Sequence, residues 1–73
     1  MRREYELTPR ELEVLKLLCL PRKKISERLC ISLPTTRRHI EHIFNKLVCS
    51  NRVEALVKAI KEGIIKADEV IID

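Results

Sequence analysis

Apolar residues along this 73-residue chain recur at intervals of three and four rather than two, the period of amphipathic helices and not of strands. The first run opens at Thr8-Pro9-Arg10-Glu11. Its hydroxyl caps the helix, proline takes the first helical position, and the glutamate three residues after the cap completes a capping box. Leu7 and Leu12 occupy the hydrophobic-staple positions around that cap. Leu12, Leu15 and Cys19, with Val14 and Leu18 beside them, are predicted to form one buried stripe. Pro21 closes this helix because it cannot extend the hydrogen-bond ladder. A short second helix is predicted from Arg22 to Cys30, burying Ile25 and Leu29 and leaving Lys23, Lys24, Glu27 and Arg28 in solvent. Ile31 and Ser32 read as a turn and a fresh cap.

The third helix is predicted over about 33–48. Thr36, Ile40, Ile43 and Leu47 share one face, and Pro34, Arg38, Glu41, His42 and Asn45 share the opposite one, with Arg37 on its flank. Asn51, followed three residues later by Glu54, resembles a capping box for a fourth helix over about 52–63, with Ser50 the other cap candidate. Its predicted buried residues are Val53, Leu56, Val57, Ile60 and Ile64. Gly63, the only glycine, stands where a left-handed residue ends a helix. The fold class is therefore all-α: a single domain with an arm over 1–6, a four-helix core over 7–65 and a tail over 66–73. In that tail Val70-Ile71-Ile72 is apolar enough to pack back, but no periodicity specifies its structure.

Composition narrows the function. Charged residues make up 36% and aromatics 3%, and a chain this short buries only about 60% of its unfolded surface, which leaves little room for an enclosed cleft. There is no nucleophile motif, glycine-rich phosphate loop or cluster of paired acids, so an enzyme is not expected, nor a cofactor or small-molecule ligand. The net charge of +4 suggests an anionic partner, and the basic residues gather at Arg22-Lys23-Lys24 and Arg37-Arg38 while the tail is net acidic. Cys19, Cys30 and Cys49 show no zinc spacing and read as reduced thiols filling apolar gaps. His39 and His42 lie one turn apart without a third ligand, so no metal site is expected. No apolar run approaches the roughly 18 residues of a membrane span, and Met-Arg-Arg-Glu is no signal peptide. A cytoplasmic protein without membrane association is the expectation; the starting methionine suggests a stand-alone protein, and an excised domain would look the same.

The second and third helices, joined by the tight Cys30-Ile31-Ser32 turn, have the form of a helix-turn-helix, in which the later helix enters the major groove of double-stranded DNA. Arginines near the start of that helix offer planar forks that match guanine or phosphate. On helix four, Ala55 and Ala59 are four apart and read as an outward pair bordered by Glu54, Lys58 and Glu62, small enough for a second copy to approach. Alanine as a plain helix former is the other reading.

Four fragments in order resemble the LuxR-type helix-turn-helix family, the NarL/FixJ/GerE-like DNA-binding domains. They are Leu7-Thr8-Pro9-Arg10-Glu11-Leu12-Glu13-Val14-Leu15, then Ile25-x-Glu27-Arg28-Leu29-x-Ile31-Ser32, then Thr35-x-x-x-His39-Ile40-x-x-Ile43-x-x-Lys46-Leu47, and Ser50-Asn51-Arg52-x-Glu54-Ala55. The resemblance covers residues 7 to about 65. It implies a transcription regulator that binds two DNA half-sites as a homodimer through its last helix, at Ala55, Lys58, Ala59 and Glu62. It places Arg37, Arg38 and Glu41 toward the bases, and Thr35, His39, Lys46, Lys23 and Lys24 toward phosphates. RNA polymerase is a further candidate partner. The chain departs from the family pattern in a connection between helices one and two that is two residues shorter and lacks the family's glycine. Thr36 replaces a core valine, Pro34 a polar or basic contact, and Glu41 a frequent lysine. Val48 stands where a glycine often ends the recognition helix, which pushes a β-branched residue toward positive φ. Two alternatives remain: a protein-interaction module on the same fold that has lost DNA binding, and a sigma-factor-like promoter-reading domain. Operator, target genes and the sign of regulation are not encoded legibly.

Overall fold

The computed structural model describes residues 6–72; the rest of the expected N-terminal arm, and Asp73 of the tail, lie outside the described residues. Among the described residues the order is α1 (Pro9–Lys16), α2 (Arg22–Leu29), α3 (Leu33–Leu47), α4 (Arg52–Lys61) and a 3-10 turn (Ala67–Glu69), with no strand. The all-α reading holds. One hydrophobic cluster joins all four helices: Val14 and Leu15 of α1, Ile25 of α2, Ile40, Ile43 and Leu47 of α3, and Ala55 and Ala59 of α4.

The local signals in the sequence do what their chemistry predicts. Thr8 Oγ1 accepts from the Glu11 N–H at 3.1 Å, and the Glu11 carboxylate accepts from the Thr8 N–H at 3.0 Å, closing both halves of the box. Ser32 caps α3 by accepting from the Thr35 N–H. Asn51 caps α4 by accepting from the Glu54 N–H, while the Glu54 carboxylate reaches past the cap to the Ser50 N–H. Thr36 is fully buried, and its hydroxyl donates to the Ser32 carbonyl at 3.1 Å, so the polar atom carries no desolvation penalty.

The end of α1 departs from expectation. The helix stops at Lys16, and Leu17 to Leu20 continue as tight turns in which the Leu17, Leu18 and Leu20 N–H groups bond three residues back. This tighter winding buries Leu17, Leu18 and Leu20 together and turns Cys19 out to solvent, so Cys19 is not part of the stripe. Cys30 is exposed as well, and of the three thiols only Cys49 is partly buried. The freed carbonyls of Leu18 and Leu20 accept from the Arg52 guanidinium of α4, at 3.3 and 2.7 Å. The tail also finds a place. Val70 and Ile71 pack against the core, and the Ile71 N–H donates to the Lys16 carbonyl at 2.9 Å, satisfying an acceptor left over at the end of α1.

Helix α4 is rotated relative to the sequence reading. Ala55 and Ala59 are completely buried, whereas Val53, Val57 and Ile60 are 70%, 50% and 38% exposed. The outward alanine pair and the buried valines are both overturned. Apolar residues lie on nearly every side of this helix, so periodicity alone does not choose a face; close approach to α1 and α3 does, because methyl groups admit a neighbouring backbone that branched chains would hold off.

Three helices end in the same way. Cys30, Val48 and Gly63 have φ of 56°, 55° and 76°, and the N–H of the next residue bonds back to Ser26, Phe44 and Ala59. Glycine meets this conformation without a Cβ penalty; a β-branched valine does not. Since the Val48 side chain is 77% exposed, its replacement removes little packing. Val48→Gly is expected to stabilise the protein by about 1 kcal/mol, read as a higher urea midpoint with an unchanged slope.

Candidate nucleic-acid interface

Helix α3 is held by one complete face: Thr36, Ile40, Ile43 and Leu47 are all buried. Its other side is left to solvent, and Pro34, Thr35, Arg37, Arg38, Glu41, His42 and Asn45 are all exposed. With 3.6 residues per turn, Pro34, Arg38, Glu41 and Asn45 follow the middle of that surface, with Arg37 on one flank. On the other flank Thr35, His39, His42 and Lys46, spaced four, three and four apart, form a second line. The arginines and Glu41 therefore share the outer surface of one helix, while Thr35, His39 and Lys46 border it. Lys23 and Lys24 sit apart from them, exposed in the first turn of α2.

Two of the bordering residues are occupied within the fold. The Thr35 hydroxyl accepts from Ser32 Oγ at 2.8 Å, and its N–H is the one that Ser32 caps. Lys46 Nζ donates to Glu11 Oε1 at 2.8 Å and to the Glu6 carbonyl at 3.1 Å. His42 Nδ1 lies 3.6 Å from the other oxygen of the same carboxylate. Burial of Glu11 works against its charge, but the Lys46 ammonium, the Thr8 N–H and the nearby His42 together outweigh it and hold the carboxyl below its ordinary value of 4.5.

The fourth helix presents a different surface. Val53, Val57 and Ile60, at spacings of four and three, make an exposed apolar stripe along α4. A shallow groove beside it is lined by Val48, Cys49, Glu54, Lys58 and Lys61 in addition to the two valines. Lys58, expected at a dimer rim, is half-buried and its Nζ donates to the Val48 carbonyl at 3.4 Å; Glu62 is exposed just past the helix end. Burial of Cys49, reinforced by the Glu54 charge and only partly offset by Lys58, pushes its thiol above the ordinary range and leaves it a weak nucleophile.

Sequence reasoning identified Glu11 only as a cap partner and did not identify its pairing with Lys46, which is 35 residues away and has no local signal. It also missed the Arg52 brace. The valine stripe was recognised as apolar but assigned to the core. The one hint of its true direction was the alanine pair, since small side chains mark close helix approach as readily as an open face.

A helical pair joined by a short turn, with the second helix anchored on one face and basic on the other, defines a helix-turn-helix domain. The family described as bacterial regulatory proteins, luxR family, matches residues 5–59, and the chain belongs to it. It is 43% identical over 61 residues to the nitrate/nitrite response regulator protein NarL of Escherichia coli, a match covering 81% of this chain and 28% of that protein. It is 39% identical over 62 residues to the transcriptional regulatory protein DegU of Brevibacillus brevis, covering 82% and 26%. The transcriptional regulatory protein LiaR of Bacillus subtilis is 44% identical over 55 residues, covering 73% and 26%. The chain thus spans about a quarter of the length of these relatives. Among the described residues no helix is long and apolar enough to cross a membrane.

The depressed Glu11 value sets a testable pH dependence. A carboxyl held lower in the folded than in the unfolded chain contributes stability that is fully present above the unfolded value and is lost as pH falls through the folded one. Glu11→Gln is expected to lower stability by about 1–2 kcal/mol at neutral pH. The gap from wild type should narrow steadily as the pH is taken below 4.5, followed by thermal melts across the acid range.

Proposed function

We propose that this domain is a sequence-specific reader of double-stranded DNA that controls transcription in the cytoplasm, with α3 lying in the major groove. The observation that carries this reading is the exposed Arg37-Arg38 pair on the outer surface of a helix whose inner face is entirely buried. Such a helix is rigid and free to enter a groove about 12 Å wide, and two guanidinium forks near its start suit guanine edges or phosphates. Glu41 on the same surface repels phosphate and is suited to accept from cytosine N4, so it acts in base selection rather than in affinity. The relatives named above are response and transcriptional regulators, which supports the assignment.

Dimerisation is part of the proposal, through a face different from the one the sequence suggested. The Val53-Val57-Ile60 stripe is an apolar line on an otherwise charged surface, and its burial against a second copy would remove it from water. Glu62, at the end of this helix, and Lys58 lie beside it, while Ala55 and Ala59 support it from within. Two copies paired by a twofold axis place two α3 helices against a pseudo-palindromic site.

Fluorescence-anisotropy titration against mixed-sequence duplex at several salt concentrations tests the DNA reading. Binding should weaken by about 0.9 log unit per phosphate contact for each tenfold rise in salt, and Arg37→Ala/Arg38→Ala should abolish most of it. Absence of binding by the wild-type chain at low salt would transfer the function to a protein partner on the same fold. For the pairing face, Val57→Asp should convert dimer to monomer in sedimentation equilibrium while leaving the helical circular dichroism intact. A dimer unaffected by that change would place the interface elsewhere.

A further inference from the structure

The line Thr35, His39, His42 and Lys46 runs along the edge of the surface that carries Arg38 and Glu41, and two of its members meet one carboxylate. Glu11 Oε1 takes Lys46 Nζ at 2.8 Å and Oε2 faces His42 Nδ1 at 3.6 Å, while the Glu11 side chain is only 4% exposed. The Thr8 N–H fixes the carboxylate from the opposite side at 3.0 Å, and the capping box fixes Thr8. Glu11 is therefore a buried carboxylate at the root of α1, hydrogen-bonded both to its own cap and to the second half of α3.

An acid beside a surface built for a polyanion reduces the local attraction. Here it has a compensating effect on its partner. A free lysine has to be immobilised when it binds a phosphate, and that entropic cost is already met in a lysine held by the fold. The Lys46 ammonium has three N–H donors. One goes to Glu11 and one to the Glu6 carbonyl; among the described residues the third has no acceptor, and the side chain remains 35% exposed. His42, one turn earlier on the same line, is half exposed beside the same carboxylate.

We propose that Glu11 is a positioning residue for nucleic-acid binding: it holds Lys46 at the edge of the outer surface of α3 so that a pre-ordered ammonium meets a DNA phosphate. The inference rests on the DNA reading above and adds to it a residue from outside the helix-turn-helix. It also reconciles the two roles of Lys46, since the ion pair within the fold is what aims the remaining donor outward.

The sign of one mutation separates this from the alternative. If Glu11 were merely an anion near DNA, its neutralisation would tighten binding. If it positions Lys46, Glu11→Gln should weaken binding to a labelled mixed-sequence duplex about five- to tenfold at low salt. The slope of log affinity against log salt should shrink by about 0.9, the loss of one phosphate contact. Lys46→Met should do the same, and the double variant should be no weaker than Lys46→Met alone. Melting curves in the same buffer establish that each variant is folded at the assay temperature. Glu11→Gln that binds as tightly as wild type or tighter, with an unchanged slope, overturns the proposal. A wild-type chain that binds no duplex overturns the DNA reading and this inference with it. Should Glu11→Gln unfold, heteronuclear NMR of the wild-type lysine ammonium groups decides. A slowly exchanging Lys46 signal that moves on adding duplex supports positioning, and one exchanging as fast as the other lysines, or indifferent to duplex, refutes it.

Discussion

Every other feature of this small domain depends on how α3 is held. Its four inward residues, Thr36, Ile40, Ile43 and Leu47, are buried against the three other helices, and no other helix touches so much of the core. The polar member of that row is tied to the carbonyl of its own capping residue, so the first turn is fixed as firmly as the apolar turns that follow. A helix anchored in this way has only one surface left to offer, and the side chains on it gain a rigid base at no further cost in backbone order. The basic residues of α3 are then placed by the packing of the residues on its buried face.

The parts of this arrangement that were legible in the sequence are those written locally. Caps at Thr8, Ser32 and Asn51, the terminating Gly63 and the single inner face of α3 each rest on residues within one or two turns of one another. Val48 belongs with them, because its left-handed backbone follows from its place after a helix with no glycine to relieve it. Cys30, in the same conformation, was not anticipated because the second helix was drawn one residue too long. The contacts that fix the helices relative to each other were not legible. Lys46 to Glu11 and Arg52 to the carbonyls of Leu18 and Leu20 join residues more than thirty positions apart. Nothing in the spacing of charged residues names such partners. Cys19 illustrates the same limit: helical periodicity placed it inside, but the chain had already left the helix at Lys16.

Helix α4 was misread for a different reason. Val53, Ala55, Leu56, Val57, Ala59 and Ile60 surround most of its circumference, so a pattern of apolar residues fits either of two rotations. Side-chain volume breaks the tie. The alanines go inward, where α4 crosses its neighbours closely, and the valines and isoleucine are left outside. The consequence reverses the relation between size and exposure usual for a soluble helix. It also gives the outer stripe its meaning, because branched residues retained on a charged surface need a reason beyond the core.

The basic outer surface of α3 and the apolar stripe of α4 are separated by a link of only four residues, and many of the polar groups in that link are bonded. The Cys49 N–H returns to Phe44, the Ser50 N–H and hydroxyl both donate to the Glu54 carboxylate, and Lys58 reaches back to the Val48 carbonyl. The Ser50 bonds hold the Glu54 carboxyl below its ordinary value. A joint with this many fixed groups does not act as a hinge. If the α4 stripe pairs two copies, these bonds fix where each α3 sits relative to its own pairing face before any DNA is present. On the proposed DNA reading, the α3–α4 corner then contributes to half-site spacing together with the pairing face itself.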